Sequence, residues 1–145
     1  MKHIIPSLSA SSFISSLIIV LLFSSCSKEE RYAEKIAGNY LCTRYCSSWY
    51  GPTVQYDTAE NVTVTIEARN RQIAVKIGAS ANTTIFSYVE GSPASTLKYG
   101  KPGGVGETSF SLSYTPSNGN ISISSFSYSG VAAGSECDWN GHKVQ

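Results

Sequence analysis

Charge is scarce in this chain. Lys, Arg, Asp and Glu make up 14% of its 145 residues, where about 25% is usual for soluble domains. Neither sign dominates, with 11 basic residues against 10 acidic ones. That removes the basic footprint by which proteins engage nucleic-acid phosphates, so no nucleic-acid partner is expected. Histidine is almost missing: His3 and His142 are the two present. A single histidine past the first residues gives no pattern for a Ser-His-Asp triad, and no G-x-S-x-G elbow occurs. Glu136, Cys137, Asp138 and His142 are near one another in sequence, but their spacing fits no zinc pattern. Asp57 with Glu60, or Glu90 with Glu107, reads as solvated loop charge rather than as a catalytic carboxylate pair. The glycine-rich Gly100–Gly106 segment lacks the Lys-Ser/Thr ending of a phosphate loop. We expect no catalytic residue, no metal and no cofactor, hence no enzyme. Long apolar runs are also missing. The longest, Leu17–Phe23, is far short of the ~20 residues that cross a bilayer.

What that run does fit is an export signal. Lys2 and His3 give a positive start, Phe13-Ile14 and Leu17–Phe23 an apolar middle, and Ser24-Ser25 a small-residue end. Residues 1–25 are therefore expected to be a signal peptide. Ser24-Ser25-Cys26 resembles a bacterial lipobox, with Phe23 where leucine is usual. The resemblance implies acylation at Cys26 after cleavage just before it, and more than one acyl chain is what makes a stable anchor. Ser27-Lys28-Glu29-Glu30 resembles the acidic export tag of surface lipoproteins in the Bacteroidetes group. It implies an outer-membrane protein facing the cell exterior, with the periplasmic face as the alternative. Residues 26–36 are read as lipidated Cys plus a short charged leash, with one helical turn before Gly38, and residues 37–145 as one domain.

That domain alternates with period two. The expected strands are Tyr40–Trp49, Asn61–Ala68, Gln72–Gly78, Thr83–Glu90, Thr96–Tyr99, Thr108–Thr115, Asn120–Ser129 and Glu136–Val144, separated by turn signals. Residues 53–60 are ambiguous. Val62, Val64 and Ile66 point one way, as do Ile73, Val75 and Ile77 across the Asn70-Arg71 turn. In the seventh strand Ile121 and Ile123 are in one parity and Phe126 and Tyr128 in the other, which calls for a bulge near Ser124-Ser125. Seven or eight antiparallel strands in succession, whose free edges would be a liability, predict an all-β up-and-down barrel.

An oxidising compartment favours disulfides. Cys42 and Cys46 are four apart in a strand, roughly 13 Å, beyond disulfide reach. Pairing of first and last strands in a closed meander then sets Cys137 opposite Tyr45, beside Cys46, which favours Cys46–Cys137 with Cys42 free and leaves Cys42–Cys137 open. The aromatics are many for this length: nine Tyr, five Phe and two Trp. Trp49, Tyr50 and Tyr56 cluster at the first loop as a pocket rim or sugar-stacking surface. Asp57-Thr58-Ala59, expected in an exposed loop, resembles a Bacteroidetes O-glycosylation site, which makes Thr58 a modification candidate.

A meander opening on Gly38-x-Tyr40 after a helical turn resembles lipocalin-like (calycin) barrels, with Tyr where that family has Trp. The ending Trp139-Asn140-Gly141-His142-Lys143 resembles that of small Bacteroidetes lipoproteins. The implied function is a membrane-anchored barrel for a small apolar or glycan ligand. The alternative is a structural or accessory lipoprotein of an outer-membrane complex, with a filled core and no small-molecule ligand.

Overall fold

A computed structural model describes residues 27–104, 106–129 and 132–144. The signal segment and Cys26 lie outside the described residues. Eight strands follow one helix among them: α1 (Lys28–Ile36), β1 (Gly38–Tyr50), β2 (Thr53–Arg69), β3 (Gln72–Ile77), β4 (Thr83–Tyr88), β5 (Leu97–Lys101), β6 (Ser109–Thr115), β7 (Asn120–Tyr128) and β8 (Ala133–Lys143). Each strand pairs antiparallel with its sequence neighbour, and β8 pairs back on β1, so the meander is a closed barrel.

The helix is the first departure from the sequence reading. Residues expected to form a leash wind into nine helical residues. Ser27 caps them: its hydroxyl accepts from the Glu30 N–H at 3.2 Å, and the Glu30 carboxylate accepts from the Ser27 N–H at 2.9 Å. This reciprocal capping box satisfies amide donors that a helix start otherwise leaves unpaired. Only Ala33 and Ile36 of the helix are buried. Three residues apart, they share one face, and that face joins the barrel core. The helix is thus part of the folded domain and closes one end of it.

The core above it consists of alternate strand residues: Tyr40 and Cys42 from β1, Val64 and Ile66 from β2, Ile73 and Val75 from β3, Phe86 from β4, Leu97 and Tyr99 from β5, Leu112 and Tyr114 from β6, Ile121 and Ile123 from β7, and Trp139 from β8. Tyr40 stands edge-on to Tyr114 with centroids 6.5 Å apart, and its hydroxyl donates to the Ile36 carbonyl at 2.5 Å. One side chain therefore joins the first strand to the last turn of the helix. Burial also holds the Tyr40 hydroxyl above the usual phenol range.

β2 contains the second departure. The ambiguous stretch is strand throughout, pairing with β1 from Tyr50↔Thr53 onward. The register shifts between Cys42 and Arg44 of β1, which face Val62 and Ala59. One intervening residue on β1 thus opposes two on β2, Glu60 and Asn61, and Asn61 adopts φ +55°. This is a bulge with its odd residue in the left-handed region, which asparagine tolerates better than most. It switches parity: Val62, Val64 and Ile66 face inward after it, and Gln55, Asp57 and Ala59 before it. The bulge expected near Ser124-Ser125 is absent. β7 keeps unbroken register with both neighbours through those residues. Ile121, Ile123 and Ser125 are buried in turn, and Phe126 and Tyr128 simply face outward.

Past the bulge, β2 has no partner on its β3 side among the described residues, because β3 ends opposite Val64. β1, β8 and the end of β7 continue with it. These four strands form a ribbon that runs on past β3–β6 at the end of the barrel opposite the helix.

Candidate functional site

The disulfide is in the ribbon. Cys46 and Cys137 are directly opposed in the β1–β8 ladder, with Cα atoms 4.1 Å apart. The sequence argument placed Cys137 one residue away, opposite Tyr45, and the ladder in fact pairs Tyr45 with Asp138. The predicted bond forms nonetheless. Cys42 is free and buried, facing Gly141. Its apolar surroundings raise the thiol pKa to about 11. A Cβ on Gly141 would collide with the Leu41 carbonyl and the Cys42 sulfur, so this tight crossing of β1 and β8 requires glycine.

Residues opposed across a ladder share a face, so the register fixes which side chains meet on the outer surface of the ribbon. One row runs Thr58, Tyr45, Asp138, Ser124, Ser111, Gly100 across β2, β1, β8, β7, β6 and β5. The next runs Tyr56, Ser47, Glu136, Phe126, Ser109. The third, at the tip, runs Val54, Trp49, Gly134, Tyr128. Exposure follows this grid. Among the described residues nine large apolar side chains are exposed, and Tyr45, Val54, Tyr56, Phe126 and Tyr128 of these occupy it. Tyr56 is the most open at 82%.

Trp49 is half-buried for a local reason. A Cβ on Gly134 would fall 2.4 Å from the indole ring. The ring therefore lies flat across β8, over the glycine, and reaches Phe126 of β7 with centroids 6.0 Å apart. Beside it, the Ser124 hydroxyl donates to the Asp138 carboxylate at 2.5 Å, and the Ser109 hydroxyl donates to the Phe126 carbonyl at 3.2 Å. A shallow cleft of about 250 Å³ opens there, among Gly100, Pro102, Ser109, Ser111, Ser124, Phe126 and Glu136. Lys101, Phe110 and Ser125 complete its lining.

The structure brings two of the three predicted rim aromatics together. Trp49 and Tyr56 share the outer face. Tyr50 has the opposite parity, is 78% exposed, and lines a separate cleft of about 270 Å³ at the hairpin tip with Ser48, Trp49, Thr53 and Gln55. Thr58 is exposed as expected but stands in strand β2, not a loop. Sequence reasoning missed Tyr45, Phe126, Tyr128, Glu136 and Asp138. The clue was the parity of Phe126 and Tyr128, which is that of outward residues in a regular strand. Ser27, Lys28, Glu29 and Glu30 have a structural role as helix cap and first turn. His142 is exposed on β8, paired with Leu41 and Asn120. Among the described residues no group of three His, Cys, Asp or Glu side chains is placed to hold a metal ion, and no helix is long and apolar enough to cross a membrane.

On the inner side of the same strands, Arg44 pairs with Asp57 in an ion pair across β1 and β2. Arg44 and Trp139 are opposed in the ladder, and the Arg44 Nε and Trp139 Nε1 are buried without a protein partner, as is the Tyr99 hydroxyl.

No family model, curated protein or solved structure matches this chain.

Proposed function

We propose that this chain is a lipid-anchored outer-membrane protein that binds carbohydrate on the outer face of its ribbon. The observation that carries this reading is the outer aromatic grid, with Tyr45, Tyr56, Phe126 and Tyr128 exposed and Trp49 half-buried among them, interleaved with Glu136 and Asp138. Exposed apolar surface gathered on one face marks an interaction site. Flat rings suit the apolar faces of sugar rings, and carboxylates and serine hydroxyls suit their hydroxyl groups. Trp49 is held in place by Gly134 and Phe126, so little side-chain freedom is lost on binding. The strand residues next to the helix form a buried apolar cluster, and this reading puts the ligand on the outer face. Cys26 supplies the anchor and Lys28-Glu29-Glu30 the export signal in this reading, and binding rather than catalysis is its activity.

The test uses Trp49 as a native reporter, since Trp139 is 7% exposed and silent to surface ligands. The lipidated chain in detergent is titrated with a panel of neutral and acidic oligosaccharides while tryptophan emission is followed. A saturable shift is expected with at least one of them. It should vanish in Trp49→Phe, and binding should weaken at least ~10-fold in Tyr56→Ala or Phe126→Ala, about 1.4 kcal/mol. A flat response to the whole panel would reject carbohydrate and leave a protein partner as the occupant of this face.

A further inference from the structure

The helix that closes the barrel also presents an outer face. Lys28, Arg31 and Lys35 are all exposed, and at spacings of three and four residues they line one side of α1. Ala33 and Ile36 are buried against the barrel, which turns the cationic side away from it. None of the three cations has a carboxylate within ion-pair distance among the described residues, where the ion pairs are Arg44–Asp57 and Arg69–Glu67. Lys28 lies over the Tyr32 ring, 5.5 Å from its centroid. The acids nearby do not neutralise the stripe. Glu30 is engaged in the capping box, Glu29 is half-buried in the first turn beside Arg71, and Glu34 alone is exposed between the cations. Lys143 reaches the helix C-terminus, donating to the Lys35 carbonyl at 3.4 Å.

We propose that this face rests on anionic lipid headgroups, so that the barrel stands on its helix with the aromatic ribbon turned outward. The inference rests on Cys26 being the lipid anchor. What the structure adds is the lack of slack: Cys26 directly precedes Ser27, and Ser27 is already the helix cap. An acyl chain at Cys26 therefore holds the start of α1 at the bilayer, and the stripe runs on from that point. A lipid chain combined with adjacent basic residues is a two-signal attachment whose second part depends on anionic lipid. It sets orientation where the chain alone sets only attachment.

The experiment uses the lipidated full-length mature chain in phosphatidylcholine vesicles, with and without roughly a third phosphatidylglycerol. Lysines are labelled with a water-soluble amine reagent and read by mass spectrometry. In the anionic vesicles Lys28 and Lys35 should react at least ~3-fold more slowly than in neutral ones, and about 1 M salt should restore their rates. Lys76 and Lys98, exposed on β3 and β5, should react equally in both. A matching Arg31→Gln variant should lose part of the protection. Equal labelling of Lys28 and Lys35 in both lipids would overturn the proposal. If the chain fails to float with either vesicle, the anchor itself is wrong and the orientation falls with it. Floating with unchanged labelling sinks the orientation alone.

Discussion

The two ends of this barrel use their aromatics in opposite ways. At the helix end Tyr40, Tyr99 and Tyr114 are buried, with Tyr40 tied to the Ile36 carbonyl. At the ribbon end Tyr45, Tyr56, Phe126 and Tyr128 are exposed on paired strands. The same residue types stabilise where a second layer covers them, and become a surface where none does. A helix of nine residues supplies that layer at one end. Nothing among the described residues supplies it at the other, so the ribbon must be held flat by its ladders, by the disulfide and by Trp49 lying over Gly134.

The largest effect should come from the bond that holds the ribbon. Replacing both Cys46 and Cys137 by Ala releases a loop closed over 91 residues. The chain-entropy account gives a loss of about 4–5 kcal/mol, measurable as a lower denaturant midpoint. Hydrogen exchange should quicken first in the tips of β1, β2 and β8 and last around Tyr40. The reverse order would mean that the helix end is the weaker of the two.

Alkali should act on the opposite end. The Cys42 thiol is pushed by burial from an ordinary value near 9 to about 11, and burial also raises the Tyr40 and Tyr99 hydroxyls. The folded state thus keeps its protons where the unfolded chain releases them. Stability from Cys42 is whole below about pH 8.5 and is lost as pH climbs toward 11, by roughly 2–3 kcal/mol. Cys42→Ala lowers stability at neutral pH through the lost sulfur, but it should flatten the slope between pH 9 and 11. An unchanged slope would assign the alkaline loss to the tyrosines alone.

The smallest effect belongs to the cap. Ser27→Ala removes one half of the capping box and should cost about 1 kcal/mol, seen as a small fall in melting temperature with the ribbon emission of Trp49 unmoved. A change at Trp49 would show the two ends to be coupled.

Those contrasts also explain what could be read in advance. Alternation is visible in sequence only where one face is buried and the other wet. Asn61–Ile77 and Ser109–Ile123 meet that condition, and their strands were legible. Thr53–Glu60 has both faces open apart from half-buried Ala59, so nothing selects apolar residues at every second position and the stretch reads as noise. The bulge at Glu60-Asn61 hides there for the same reason. The cysteine pair was legible because closure of a meander constrains first and last strands to meet, while the register remained off by one. In sequence the helix reads as a single turn although its Ser27…Glu30 cap is a readable signal, because its burial depends on Ala33 and Ile36 alone. The aromatic grid was only partly legible: Trp49 and Tyr56 are near in sequence, whereas Phe126 and Tyr128 join them only through pairing across β8.

The ladders themselves are unequal, and this has a mechanical meaning if the chain is anchored at Cys26 as proposed. β1 is paired along nearly its whole length on both sides, with β2 from Gly38 to Tyr50 and with β8 from Tyr40 to Tyr50, and it carries the disulfide. β4 and β5 pair only at Ser87↔Gly100 and Tyr88↔Tyr99, with one further backbone bond from the Val89 N–H to the Lys98 carbonyl at 2.9 Å. Under the proposed anchoring, a pull on the ribbon tip would travel toward the N-terminus along β1, in shear against its two long neighbours. The short seam between β4 and β5 lies off that line.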